Sequence, residues 1–264
     1  MEIVKGGIVV RLDRDLLHRI MMIAQEMTEA GAEISRVEEM VDRVSCAYGA
    51  ERADVFATTS NIIVSVEDEN GAVITQTRRV KNRVGNNMEK LHQYNMLVRW
   101  MASEAPSIDE VDARIEEVRR SKKYSVWLTM LFSAVVSSAF CLFFGGRSWQ
   151  ECVTAFVVGV VSCIVLEVLE RCHINPIVIR FLSAFSASII TFFAVHFRFI
   201  ALPDYVLIGN IMTLIPGVGL TNAMRDLFSG DVISGILRAI EALLFTLGIA
   251  LGMILPTVLL GGVL

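Results

Sequence analysis

Apolar residues in the first 120 positions recur with the helical period in four stretches. The stretches run from Leu12 to Gly31, from Ser35 to Gly49, from Asn87 to Met101 and from Ser107 to Val118. Gly31 is expected to end the first helix as a C-cap. Ser35 with Glu38, and Ser107 with Glu110, have the spacing of a capping box, which favours a helix start at each serine.

The period changes between the second and third predicted helices. Residues 53–66 and 73–80 are rich in β-branched side chains, which favour strands. They flank Asn70-Gly71, a dipeptide suited to a tight hairpin turn. The first part of the chain is therefore predicted to be an α+β domain made of helices and a β-hairpin.

Long apolar segments follow this region, and each was compared with the ~20 residues that a helix needs to cross ~30 Å of hydrocarbon. They cover roughly residues 124–144, 150–169, 177–197, 203–220 and 232–256. The fourth segment is short and is broken by Pro216-Gly217. The pattern predicts an α-helical multi-pass membrane protein with five transmembrane helices.

Charged residues are unevenly distributed, although the net charge of the 264 residues is only −4. Residues 1–123 hold 18 Lys/Arg and 21 Asp/Glu, whereas residues 124–264 hold six Arg, seven acidic residues and no Lys. The boundary is the basic cluster Arg119–Lys123, and basic clusters stay on the cytoplasmic side of a membrane. We therefore expect a cytoplasmic domain at 1–123 and a transmembrane bundle at 124–264. The first apolar run is too short for a signal peptide.

The N-terminal domain carries none of the common catalytic motifs: no P-loop, dinucleotide-binding glycine motif, zinc-protease histidine pair or nucleophile elbow. We expect no catalytic residue and no cofactor. The five cysteines form no CxxC pair, so we expect neither a disulfide framework nor a metal site. Arg78, Arg79, Lys81 and Arg83 form a short basic run, which nearby anionic lipid explains more simply than nucleic acid does. No nucleic-acid partner is expected.

The fifth apolar segment has one polar face. Its polar positions are Asp231, Ser234, Gly235, Arg238 and Glu241, and their spacing puts all of them on one side of a helix. Arg238 and Glu241 are oppositely charged neighbours at i,i+3, so each partly neutralises the other. Two interpretations stay open: a structural ion pair that seals a bundle, or the polar wall of a solute or proton path. Arg180, in the third segment, is expected to neutralise Glu167 or Glu170.

The break in the fourth apolar segment favours the second interpretation, in which these residues line a solute or proton path. Pro216 removes a backbone donor, and Gly217 permits turns that other residues cannot make. In lipid, the freed backbone groups need protein or water, so such breaks persist where they line a cavity. Asn210 and Thr213 lie within two turns before Pro216 and would add hydrogen-bonding groups at the same place.

Two stretches resemble the threonine/serine exporter family. AGAEISRVEEMVDRVSCAYGAERADVFATTSNIIVSV (30–66) is similar to the family's cytoplasmic start, and PGVGLTNAMRDLFSGDVISGILRAIEALLFTLGIALG (216–252) resembles its Pro-Gly…Asn…Asp…Gly-Asp…Ser-Gly…Arg signature. The signature positions in this chain are Pro216, Gly217, Asn222, Asp226, Gly230, Asp231, Ser234, Gly235 and Arg238.

The resemblance implies secondary export of threonine and serine across a bacterial inner membrane, driven by the proton gradient or the membrane potential. Some relatives are associated with succinate export instead. Single-chain members of the family have roughly twice as many spans as this chain. The resemblance therefore implies the larger subunit of a split, hetero-oligomeric exporter, with a small all-membrane partner subunit.

The candidate substrate or ion pathway combines the resemblance with the polar residues described above. Its residues are Asn210, Thr213, Pro216, Gly217, Asn222, Asp226, Asp231, Ser234, Arg238 and Glu241. Arg238 would attract a solute carboxylate, and Asp226 or Asp231 would take an ammonium group or a coupling proton. The alternative is a membrane-anchored sensor or regulatory protein whose cytoplasmic domain binds a ligand. In a third arrangement, that domain gates or docks the transport half.

Overall fold

A computed structural model describes residues 12–68, 70–80, 87–121, 124–172 and 174–260. It divides them into two compact units. The first unit contains the chain as far as Lys122 together with residues 218–239, and the second unit contains the remainder. The N-terminal domain therefore shares one unit with a segment from the apolar part of the sequence.

Four helices form most of the first unit. They are α1 (Arg14–Glu29), α2 (Ile34–Ala47), α3 (Met88–Glu104) and α4 (Ile108–Arg119), and all four predicted helices are confirmed. Gly31 follows α1 with φ 96°, the left-handed conformation expected just beyond a helix end. At the start of α4, the Ser107 backbone N–H donates to the Glu110 carboxylate at 2.9 Å, as the capping box predicts.

The capping box predicted at Ser35 is wrong. Helix α2 begins one residue earlier, at Ile34, with Glu33 as the N-cap residue and no side-chain cap. The Glu38 carboxylate is directed elsewhere and accepts the backbone N–H of Ala57 at 2.8 Å. Glu38 therefore makes a tertiary contact with the sheet instead of the local capping contact at the start of its own helix.

The sheet has three strands rather than two. They are β1 (Ala50–Ala57), β2 (Asn61–Asp68) and β3 (Val73–Arg79), paired antiparallel in that order. The predicted strand at 53–66 is divided because the Thr58 hydroxyl accepts the Asn61 backbone N–H at 3.0 Å and closes a tight turn. The hairpin at Asn70-Gly71 is confirmed, with Gly71 at φ 76°. Lys81, Arg83, Lys122 and Lys123 lie outside the described residues.

A buried ion cluster joins three helices of this unit. The Glu26 carboxylate of α1 lies 2.8 Å from Lys90 Nζ of α3 and accepts a hydrogen bond from Arg119 Nε of α4 at 2.7 Å. The Tyr94 hydroxyl donates to the same carboxylate. Burial alone would raise the pKa of Glu26, but hydrogen bonds from Lys90, Tyr94 and Arg119 outweigh it and hold the pKa below its ordinary value.

Replacing Glu26 with glutamine is expected to lower the free energy of unfolding by about 2 kcal/mol, because hydrogen bonds to a charged group are lost. Since the folded-state pKa is lowered, this stabilisation is complete at neutral pH and disappears as the pH falls through that lowered pKa. Thermal unfolding of the full chain measures the effect. The control Glu116→Gln removes only an exposed pair with Arg120 and should cost less than about 1 kcal/mol.

The apolar part of the sequence forms six helices. They are α5 (Val126–Phe143), α6 (Trp149–Arg171), α7 (Pro176–His196), α8 (Asp204–Leu214), α9 (Gly217–Ser229) and α10 (Val232–Leu260). Four of them, α5, α6, α7 and α10, are long and apolar enough to cross a membrane. Helices α8 and α9 are bent by 52° at the Pro216 break, and counting them as one span gives five. The described residues thus form a multi-pass helical protein with a small N-terminal sheet.

Two glycines bring helices of the second unit into close contact. A Cβ atom on Gly159 of α6 would lie 2.8 Å from the Ala134 Cα of α5. A Cβ atom on Gly209 of α8 would lie 2.5 Å from the Ser137 carbonyl oxygen, also on α5. Helices α6 and α8 therefore pack backbone to backbone against α5, as small residues allow in membrane proteins.

Candidate functional site

The turn between α1 and α2 contacts the polar face of α9. This turn, residues 31–34, presents backbone groups that neither helix uses. Asn222 Nδ2 donates to the Gly31 carbonyl oxygen at 3.0 Å, and the Ile34 N–H donates to Asp226 Oδ1 at 3.2 Å. Two polar side chains of the predicted pathway thus bind the N-terminal domain.

Arg238 of α10 completes this network. Its Nη2 donates to the Ala32 carbonyl oxygen at 2.6 Å, and its Nε lies 3.2 Å from Asp226 Oδ2. The Asp226 side chain is completely buried, and that of Arg238 is 11% exposed. The Nε–Oδ2 contact is a close charge pair rather than an aligned hydrogen bond, since Asp226 Oδ2 accepts no N–H in the described structure. The sequence spacing predicts Glu241 as a partner of Arg238. It gives no indication of the contact between Arg238 and Asp226.

Two glycines of the signature allow α9 and α10 to meet. Gly230 turns the chain between them with φ 96°. A Cβ atom on Gly235 would lie 2.9 Å from the Ala223 carbonyl oxygen of α9 and 2.6 Å from Leu227 Cγ. A larger residue at Gly235 would push the helices apart and separate Asp226 from Arg238.

Asp231 and Ser234 line a different feature, a groove of about 290 Å³ between the start of α10 and the end of β1. Phe56 and Thr58 line its other side. Burial raises the pKa of Asp231. Burial also raises the pKa of Glu38, and the negative charge of Asp231 adds to that rise. Asp231 therefore holds a proton more tightly than a fully exposed aspartate would.

Helix α9 is amphipathic with its polar face inward. Asn222, Ala223 and Asp226 are buried in the first unit, whereas Leu220, Met224 and Phe228 are exposed along the opposite face. Phe228 is 83% exposed. A helix of a water-soluble domain has the reverse pattern, so the exposed face is suited to an apolar environment.

The remaining predicted residues lie in the second unit. Thr213 donates its hydroxyl hydrogen to the Asn210 carbonyl oxygen at 2.7 Å. The Asn210 side chain is completely buried, and neither amide atom has a hydrogen-bond partner among the described residues. Pro216 ends α8 beyond an extended Ile215 at ψ 131°, which agrees with the break that the sequence predicts. Glu241 lies on α10 in the same unit.

The structure thus divides the predicted pathway into three groups. Asn222, Asp226 and Arg238 form one hydrogen-bonded network. Asp231 and Ser234 line the groove beside β1, and Asn210, Thr213, Pro216, Gly217 and Glu241 belong to the second unit. The sequence interpretation missed the turn at 31–34, which contacts Asn222, Asp226 and Arg238 through backbone groups. The sequence signal that could have indicated this turn is its position within residues 30–66, the stretch that resembles the exporter family.

Comparison with known proteins tests the family resemblance that these signature residues suggest. The family model ThrE, described as a threonine/serine exporter, matches residues 18–260. The chain belongs to the threonine/serine exporter family. The match includes the N-terminal domain as well as the apolar helices, so the family is defined by both parts.

Several relatives of the chain are named as transporters or exporters. The chain is 26% identical over 236 residues to the probable succinate transporter subunit YjjP of Klebsiella aerogenes, covering 89% of this chain and 90% of that protein. It is 27% identical over 254 residues to the probable threonine/serine exporter of Mycobacterium tuberculosis, covering 95% of this chain but 47% of that protein. For the threonine/serine exporter of Corynebacterium glutamicum the identity is 23%, with 87% and 48% covered. No solved structure matches the chain.

Proposed function

We propose that the chain is one subunit of a secondary exporter that moves threonine, serine or a related small carboxylate out of the cell across the inner membrane. Coupling is to the proton gradient or the membrane potential. The observation that carries the proposal is the buried Asp226–Arg238 pair on the family signature, beside a broken apolar helix pair. A simple membrane anchor needs neither feature.

The lengths of the related proteins, compared with the length of this chain, support a partner subunit. The chain matches 90% of a protein named as a transporter subunit, but about half of two proteins named as exporters. The second half of those exporters would correspond to a separate, small, all-membrane subunit. The assembly is then a hetero-oligomer in which this chain supplies the N-terminal domain and one set of spans.

The membrane arrangement follows from helix lengths. Helix α8 has 11 residues, or about 16 Å at about 1.5 Å per residue, which is half of the hydrocarbon thickness. We infer that α8 is a half-helix ending inside the bilayer, as in transporters with broken helices. Helix α9 then continues from the break toward the cytoplasmic membrane surface, with Leu220, Met224 and Phe228 toward the lipid. The N-terminal domain and its basic Arg119–Lys123 boundary are placed in the cytoplasm.

The N-terminal domain docks the α9–α10 segment in this proposal. The turn at 31–34 holds Asn222, Asp226 and Arg238 through its backbone. Arg225 of α9 forms a further ion pair with Glu33 of the same turn. A solute carboxylate at Arg238, or an ammonium group at Asp226, would exchange with these contacts. Asp231 in the groove is the coupling-proton residue.

The proposal predicts that an Arg238→Ala/Asp231→Ala chain loses export, because the carboxylate-binding and proton-binding groups are both gone. Efflux of labelled threonine, serine and succinate is measured from cells that contain the chain and its candidate partner. The matched control is Arg52→Ala/Asp54→Ala, an exposed pair on β1. Full export by the double variant would overturn the site, whereas ligand binding without any export would favour the sensor alternative.

A further inference from the structure

Arg180 of α7 has surroundings that the sequence did not indicate. The sequence predicts that it neutralises Glu167 or Glu170. Glu167 pairs with Arg171 at 2.9 Å, whereas Glu170 and also Glu241 interact electrostatically with Arg180 without forming an ion pair. Arg180 Nη1 instead donates to the Leu214 carbonyl oxygen at the end of α8. Its guanidinium also lies over the Phe245 ring, 4.7 Å from the centroid. Among the described residues, the structure gives Arg180 no ion pair.

A half-buried arginine that forms no ion pair with a described carboxylate is unusual within a membrane-spanning helix, although the charges of Glu170 and Glu241 act on it from farther away. Ionised groups there normally pair with opposite charge or face a solute path. The fork of an arginine carries five N–H donors, and among the described residues only the Leu214 carbonyl oxygen accepts one of them. Four donors of a cation therefore remain for an anionic group.

Asn210 provides a second polar side chain, one helical turn before Leu214 on α8. Asn210 precedes Leu214 by four residues, so both lie on one face of α8. Both amide atoms of Asn210 are completely buried and lack partners in the described structure. Buried amides are nearly always hydrogen-bonded in folded proteins. Asn210 thus presents two donors and one acceptor that no described residue uses.

Small polar residues of two further helices reach the same level of the bundle. Ser183 follows Arg180 by three residues on α7, and its hydroxyl donates to the Ser162 carbonyl oxygen of α6 at 3.2 Å. The Ser162 hydroxyl is itself buried without a partner among the described residues. Ser183 and Ser162 thus bring two hydroxyl groups to the part of the bundle next to Arg180.

From these contacts we propose that Arg180 and Asn210 form a carboxylate-binding site at the end of the half-helix α8. Arg180 binds the carboxylate of a small anionic or zwitterionic solute, and Asn210 with Ser162 binds its uncharged polar groups. The inference rests on the proposed export function and adds a solute site to it. Arg238 differs because a buried carboxylate of the chain already neutralises it.

The test is equilibrium binding of [14C]succinate and L-[14C]threonine by the purified full chain, with succinamide as a competitor that lacks carboxylates. We expect wild type to bind at least one probe, and Arg180→Gln to bind it at least about tenfold more weakly, as for a lost charge-assisted contact of about 1.4 kcal/mol. Arg171→Gln is the matched control, because it removes an exposed arginine from the end of α6, and it should bind as wild type does.

Asn210→Leu separates binding from folding. Leucine has a similar shape and removes the unpartnered amide atoms, so the Tm should stay the same or rise while probe binding weakens. If Arg180→Gln does not fold, Arg180→Lys takes its place, and a weaker affinity is expected because the planar fork is lost.

Unchanged affinity in the folded Arg180 variant, equal binding of succinamide and succinate, or no binding of either probe by wild type would overturn the site. Export assays run in parallel distinguish the two proposals. Binding without export would contradict the exporter proposal and leave the site in place. Export that survives the Arg180 substitution would remove the site and leave the exporter.

Discussion

Asp226→Ala is expected to abolish export and to lower the free energy of unfolding by about 3 kcal/mol, the cost typical of breaking a buried ion pair. The carboxylate is fully buried, accepts the Ile34 N–H and neutralises Arg238. Its removal takes away the carboxylate that lies 3.2 Å from the nearly buried Arg238 guanidinium. Thermal unfolding of the purified chain and efflux from cells measure the two effects.

A double variant distinguishes structural from functional loss at this pair. Asp226→Leu/Arg238→Met replaces both charges with apolar side chains, and such replacements are often neutral for stability. We expect it to recover most of the Tm of wild type but no export. Recovery of export together with stability would show that the pair only holds α9 against α10. Asp54→Ala, an exposed residue of β1, is the single-site control.

Gly209→Ala is expected to give the second large effect, a destabilisation of about 2 kcal/mol from overpacking. The new Cβ atom would lie 2.5 Å from the Ser137 carbonyl oxygen and 2.8 Å from the Cys141 backbone nitrogen. Both are backbone atoms, so no side-chain rotation relieves the contact, and α8 must move away from α5.

Gly217→Ala is the matched stability control for the Gly209→Ala substitution. A Cβ atom there meets nothing within 4 Å, and alanine favours helix over glycine by about 1 kcal/mol. The Tm should fall for Gly209→Ala and stay level or rise for Gly217→Ala. Equal Tm values for the two variants would contradict the close packing of α5 and α8.

The elements set by local sequence were predictable. Apolar periodicity located α1 to α4, and hydrophobic length located α5, α6, α7 and α10. The errors arose where a tertiary contact outweighed a local preference. Glu38 satisfies the backbone of Ala57 instead of its own helix end, and Thr58 closes a turn inside what the β-branched residues suggested was one strand.

The candidate site was predictable in its side chains but not in their partners. Spacing along α10 placed Asp231, Ser234 and Arg238 on one face, and the break at Pro216 is where the sequence put it. The contact of Arg238 with Ala32 joins residues 206 positions apart, and the contact with Asp226 joins two different helices. No periodicity encodes them. For Arg180 the sequence predicts Glu167 or Glu170, and Glu170 does interact with its charge. The direct acceptor of Arg180 is the Leu214 carbonyl oxygen, and a backbone carbonyl carries no sequence signal.

The most direct test of the account is flux through proteoliposomes that contain the purified chain and its small membrane partner. Labelled threonine, serine and succinate are loaded, and a proton gradient or a membrane potential is imposed. The account predicts that efflux of at least one solute exceeds that of protein-free liposomes, increases with the imposed gradient and requires both proteins. Efflux of all three equal to that of protein-free liposomes, with both proteins folded and inserted, would contradict it.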